Sequence, residues 1–234
     1  MKTPHTPHRT PENGFHARPR ARGGSRQPRI WLCLLSLLVA AAGCRPKSLP
    51  ERDYAAYLAD PGNGFLKTRM AGAHLKTSAQ YIPPAYLAFR EMRRSSFPAV
   101  PHTYDSLKTA CSGNATFYLT IESTGDKLDL RSLLHRNPTD PVQLSAALSR
   151  LDMGFPDGLS LTLEGKSYPP GLCVRESAPG LNRKIRFIAV FPVALDKAAA
   201  NRCTLAWQDA FFQKSAARFE FLLPDIRAVP DIGI

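Results

Sequence analysis

The side chain with the clearest chemical prospect is Cys44. Its thiolate is a nucleophile, and it closes the run I-W-L-C-L-L-S-L-L-V-A-A-A-G-C that starts at Ile30. Arg29 precedes the run, and the small residues Ala41, Ala42 and Gly43 leave the backbone before the cysteine open to a peptidase. A basic flank, a short apolar segment and small residues form the three-part layout of a secretory signal, so the chain is expected to be exported and to lose residues 1–43. The apolar segment is too short to cross a bilayer core, which takes about 20 residues.

The remaining candidate chemistry is thinner. Gly62-Asn63-Gly64-Phe65-Leu66-Lys67-Thr68 suggests a phosphate loop, but that loop needs glycine directly before its lysine and a strand ahead of it; here a helix-to-strand turn is expected. His74, His102 and His135 are the histidines beyond the leader, and none has a partner at metal-ligand spacing, so no metal site is expected. Cys111 with His135 could meet in space as a nucleophile and base, and Glu122 with Asp126 could line a glycosidase cleft; solvated surface residues are the plainer reading of each. No G-x-S-x-G elbow occurs. Of Cys111, Cys173 and Cys203, the last two lie in strand-like segments and rank first as a disulfide in an exported protein, with three unpaired buried thiols as the alternative.

Charge narrows the partners. The full chain carries 31 Lys/Arg and 19 Asp/Glu, a net of +12. Residues 1–43 hold seven of the basic groups and one acid, so half of the excess leaves with them. That leader is rich in Pro, Arg, His and Gly and cannot bury a core. It reads as an over-long basic flank of the signal or an early start codon, rather than an arm for nucleic acid or anionic lipid. In the rest, only Arg90, Arg93 and Arg94 cluster, and a solvated helix face or a membrane-facing trio explains them without nucleic acid.

The elements that must position these residues can be read from periodicity. Residues 44–50 are expected to be a tether, and 51–234 one globular domain, as the length allows. Ser48-Leu49-Pro50-Glu51 has capping-box spacing and should open a helix bearing Tyr54, Tyr57 and Leu58, ended at Asp60–Gly64. A hairpin follows, with arms Phe65 to Met70 and His74 to Ile82. Pro83-Pro84 starts a helix through Arg94 with Tyr86, Phe89 and Met92 on one face. A short helical stretch spans Ser106–Ala110, and Ala115 to Glu122 alternates as a strand. Asp140-Pro141 caps a helix with Leu144, Leu148 and Leu151 aligned. Strands are expected at 159–163, at 184–193 (apolar on both faces, hence central), around Cys203–Trp207 and over Phe219–Leu223. Tyr54, Tyr57, Tyr81, Tyr86 and Phe89 read as an aromatic seam, with sugar or peptide binding as the alternative. The fold class is mainly β with helices (α+β): an antiparallel sheet or β-sandwich decorated by three or four short helices.

Ala41-Ala42-Gly43-Cys44 resembles the lipobox of bacterial lipoproteins. N-G-F-L-K-T (Asn63 to Thr68), Y-I-P-P-A-Y-L-A-F-R-E (Tyr81 to Glu91), T-Y-D-S-L (Thr103 to Leu107) and F-L-L-P-D-I-R-A-V-P-D-I (Phe221 to Ile232) resemble an uncharacterised family of bacterial envelope lipoproteins with no known activity. The resemblance implies cleavage between Gly43 and Cys44, a diacylglyceryl group on the Cys44 sulfur, an acyl (palmitate-type) chain on the new amine, and no cofactor beyond that covalent lipid. Arg45, which is not the aspartate of inner-membrane retention, implies the outer membrane. Each buried methylene contributes about 0.8 kcal/mol, so two or three acyl chains attach a domain stably. The expected role is a non-catalytic binding, structural or adaptor domain of the cell envelope with an envelope protein or polymer as partner. The alternative is a hydrolase of an envelope or extracellular polymer, which needs a concave pocket with convergent titratable groups.

Overall fold

The computed structural model describes residues 47–71, 74–95, 101–125, 130, 134, 140–176, 183–212 and 216–233, all within one compact unit, Arg45–Ile234. Cys44, Gly43, the apolar run before them, Asp126 and His135 lie outside the described residues. The fold is α+β, with antiparallel sheets and short helices.

The five-stranded sheet has the order β2-β3-β4-β8-β7, from β2 (Leu66–Ala71), β3 (Leu75–Ile82), β4 (Ala115–Ser123), β8 (Lys184–Phe191) and β7 (Leu172–Arg175). The four-stranded sheet has the order β10-β9-β5-β6, from β10 (Ala216–Leu222), β9 (Arg202–Gln208), β5 (Leu159–Leu163) and β6 (Lys166–Tyr168). All of these pairings are antiparallel. Alternation dictates the inner faces. Leu75, Ala79 and Tyr81 are buried on β3, Ile185, Phe187 and Phe191 on β8, Cys203, Leu205 and Trp207 on β9, and Phe219 and Phe221 on β10. The sheets meet through rings, with Phe117 on β4 5.1 Å from Phe221. Phe155 stacks on Phe187 at 3.7 Å and touches Trp207 at 5.2 Å. Strand β4 is the element buried on both faces, rather than β8, whose outer face keeps Arg186, Ile188 and Val190 half-buried.

Five helices are bounded among the described residues: α1 (Glu51–Ala59), α2 (Pro84–Arg94), α3 (Pro101–Cys111), α4 (Pro141–Gly154) and α5 (Leu223–Arg227). Pro83-Pro84 opens α2 and Asp140 caps α4 as the sequence dictates, the Asp140 carboxylate accepting from Val142 and Gln143 N–H at 2.9 and 3.2 Å. The aromatic seam is present. Tyr54 stacks on Tyr86 at 5.8 Å, and a chain of rings runs from Tyr57 through Phe65 and Tyr81 to Phe117.

Three local readings are corrected. Ser48 caps no helix; Ser48–Pro50 is strand β1, parallel to β11 (Asp231–Gly233), and α1 starts at Glu51 without a side-chain cap. Long-range pairing with the last strand overrides the local capping spacing. Leu223 opens α5 instead of ending β10, because proline is tolerated in a first helical turn and Pro224 occupies it. On α4 the buried stripe is Ala147 and Leu151, with Leu144 and Leu148 only half-buried.

Candidate functional site

A cleft of about 320 Å³ lies where the C-terminal segment meets α2, α3 and the start of β1. Tyr81, Ala85, Leu195 and Ile226 line it as buried apolar side chains. Lys47, Lys108, Asp196, Arg227 and Asp231 supply its charge. An apolar interior with a few polar groups is the usual make-up of a binding site.

The polar groups are held in place by bonds of long sequence separation. The Asp231 carboxylate accepts from Tyr104 Oη at 2.7 Å, from Lys108 Nζ at 2.5 Å and from the Ile232 N–H at 3.0 Å. The Asp231 N–H donates to the Lys47 carbonyl, and Tyr54 Oη donates to the Pro230 carbonyl at 2.8 Å. Burial pushes the Asp231 carboxyl up, but the bonds from Lys108 and Tyr104 outweigh it and hold the group below the ordinary carboxylate range. Burial, and then the bond to Asp231, pushes the Tyr104 hydroxyl up. Burial followed by the nearby Asp196 charge does the same to Tyr81. Asp231 is therefore an ionised clasp between α3, β1 and β11, and the tyrosines stay protonated around neutral pH.

The opposite wall is the irregular segment 195–200, pinned from two sides. Arg227 donates to the carbonyls of Asp196, Ala198 and Ala200. Glu164 accepts from the Ala199 and Ala200 N–H groups at 2.8 and 3.2 Å. Glu164 and Gly165 both have positive φ, 52° and 75°, the backbone of a tight two-residue hairpin between β5 and β6. That turn aims the Glu164 carboxylate at the wall.

Three of the sequence segments quoted above meet here. Tyr81–Ala85 and Ile226–Asp231 line the cleft, and Tyr104 braces Asp231. Gly64, at φ 85°, packs so closely on the Asp225 carboxylate that a Cβ there would lie 2.8 Å from Oδ2. No periodicity marks these residues as a group, since the pairs that hold Asp231 to Tyr104 and Lys108 are more than a hundred positions apart and those that pin the opposite wall about thirty. The one available signal was that several of them, though not Lys47, Lys108, Leu195 or Asp196, fall in three of the quoted segments.

The other sequence candidates fall elsewhere. His74 precedes β3 at the surface, and His102 falls within the bounds of α3; among the described residues no group of three or more His, Cys, Asp or Glu side chains is placed to hold a metal. Glu122 sits on β4 opposite Lys76 and Lys184 in register. Arg93 pairs with Glu51, and Arg90 lies over the Tyr118 ring, so the arginine trio is divided between separate contacts. Cys173 on β7 and Cys203 on β9 belong to different sheets, and the structure holds both, with Cys111, as free thiols. The expected bridge between Cys173 and Cys203 is not formed. Burial pushes the Cys173 thiol up to about 11 and Cys203 up to about 12.

No protein-family model and no curated protein matches the chain. Among solved structures, a novel protein of unknown function from Burkholderia pseudomallei K96243 is similar at 12% sequence identity, over 80% of this chain and 96% of that one, with a TM-score of 0.34. That score is too low to bear on the fold or the site. Among the described residues, no helix is long and apolar enough to cross a membrane.

Proposed function

We propose that the chain is a lipid-anchored lipoprotein of the bacterial cell envelope, carried on Cys44 and sorted to the outer membrane, whose domain binds an envelope protein or polymer at the cleft without catalysing a reaction. The sequence from Arg29 to Cys44 carries this reading: a basic flank, a short apolar run and small residues placed directly before a cysteine. Geometry supports it from the other side. Lys47 both accepts the backbone bond of Asp231 and lines the cleft. Three residue spans separate it from Cys44, at most about 11 Å of extended chain. A lipid on Cys44 would thus keep the cleft close to the bilayer surface, where a high local concentration lets weak binding suffice. The convergent titratable groups Tyr104, Lys108 and Asp231 bond one another, which suits a fixed docking surface better than a general base.

Two measurements test the two halves. In cell fractionation, the wild-type chain should stay with membranes through salt and carbonate washes, and Cys44→Ser should not. A photo-crosslinking residue at Ser112, in the cleft, should give a discrete adduct in cells, while one at the exposed Met153 should not. Equal labelling at both positions, or none at either, contradicts the docking role.

A further inference from the structure

A second pocket, of about 190 Å³, opens on the outer face of the five-stranded sheet, between α1, α2 and strands β3, β4 and β8. Its apolar lining includes Leu58, Ile82 and Tyr86, and its polar lining is Gln80, Tyr118 and Arg186. Two features set it apart. Tyr118 is only 6% exposed, yet its hydroxyl has no hydrogen-bond partner among the described residues. Arg186 gives Nη1 to Glu176 at 3.2 Å, while its buried Nε has no partner among the described residues. A buried polar atom left unpaired costs free energy unless something else completes it.

The charge around the pocket favours an anion. The guanidinium of Arg186 lies 5.2 Å, and that of Arg90 5.7 Å, from the Tyr118 ring centre, and Glu176 balances one of the two. Because Glu176 occupies Nη1, the edge of Arg186 left over is the one carrying Nε–H. That edge is a planar two-donor fork matched to a carboxylate. The Tyr118 hydroxyl supplies a further donor. The volume equals roughly six waters at about 30 Å³ each, enough for a ring-sized body against Leu58, Ile82 and Tyr86.

We propose that this pocket binds a small monocarboxylate with an apolar body, the carboxylate on the free edge of Arg186 and the Tyr118 hydroxyl. The site is separate from the cleft and does not depend on lipid anchoring.

Benzoate is the probe, with benzamide as its uncharged counterpart, in saturation-transfer NMR and calorimetry on the full chain. Benzoate should saturate in the millimolar range or tighter, as fits a ligand of that size. Benzamide should bind about tenfold more weakly, the loss expected for a charge-assisted bond. Tyr118→Phe removes a hydroxyl with no partner, so it should fold normally and weaken benzoate several-fold. Arg186→Lys keeps the charge beside Glu176 but loses the fork, and should weaken benzoate about tenfold. No saturable benzoate signal, equal binding of benzoate and benzamide, or unchanged affinity in both folded variants would each overturn the assignment and leave a water-filled pocket.

Discussion

Replacing Phe155 by alanine should be among the most damaging single changes in the domain, and its effect can be followed from inside the core. Phe155 is fully buried, stacked on Phe187 of one sheet at 3.7 Å and against Trp207 of the other at 5.2 Å. Truncating a buried phenylalanine costs about 3–5 kcal/mol through lost transfer energy and the cavity left behind. The upper half of that range applies here, since two aromatic pairs worth roughly 0.5–1.5 kcal/mol each are lost with the ring. With a urea slope of about 2 kcal/mol per molar, the midpoint should fall by about 2 M. Beyond residue 43 the chain has one tryptophan, Trp207, which is buried and in contact with the mutated ring, so its fluorescence reports the transition directly. Phe155→Leu, which keeps much of the volume, should fall by less than half as much and covers the case in which the alanine variant does not fold. Val142→Ala, at a side chain 75% exposed, should change stability by no more than about 0.5 kcal/mol. A shift below about 0.5 M for Phe155→Ala would mean that the two sheets are not joined through this ring.

Gly64→Ala should lower stability by about 2 kcal/mol, because alanine must adopt a left-handed backbone and its Cβ would meet the Asp225 carboxylate; thermal unfolding should shift down by about 4–8 °C, and an unchanged midpoint would contradict the close approach. Asp231→Asn should cost about 1 kcal/mol at neutral pH, the low end for bonds to a charged group because the carboxylate is 45% exposed. Since the folded state holds the Asp231 carboxyl below its ordinary value, this stability is fully present above about pH 4 and is lost as pH falls through the lowered pKa. Wild type and Asp231→Asn should therefore converge in acid unfolding, and a gap that stays constant down to pH 2 would contradict the clasp. Cys203 should resist a thiol-specific dye in the native protein, being buried with its thiol raised to about 12. In denaturant without reductant, Cys111, Cys173 and Cys203 should all titrate; recovery of one thiol would instead establish a disulfide.

What the sequence discloses about this fold follows from how local each signal is. Strands with clean alternation, such as Leu159–Leu163 and Arg202–Gln208, announce their buried faces because one side of each packs on the core. Pro83-Pro84 and Asp140-Pro141 announce helix starts because proline and a capping carboxylate act within one turn. Strand β1 could not be read this way. Ser48–Pro50 has three residues and a proline, and its only cause is the far end of the chain at Asp231–Gly233. The short strand β6 failed for a similar reason, as three residues do not establish a period, and β7 showed only as a strand-like segment around Cys173. The cleft is the extreme case. Tyr104, Lys108 and Asp231 are ordinary polar residues until β11 brings them within bonding distance, and nothing local in the sequence joins them. The second pocket had no hint at all, because Tyr118 and Arg186 lie on separate strands, 68 positions apart, that meet only through the β4–β8 pairing.

The central claim concerns the group at Cys44, and the mass of the N-terminal peptide from natively expressed protein tests it most directly. The account predicts a peptide that begins at Cys44 and carries diacylglyceryl and N-acyl additions, with nothing recovered from residues 1–43. An unmodified Cys44, or peptides of the arginine-rich leader still joined to the domain, would contradict it.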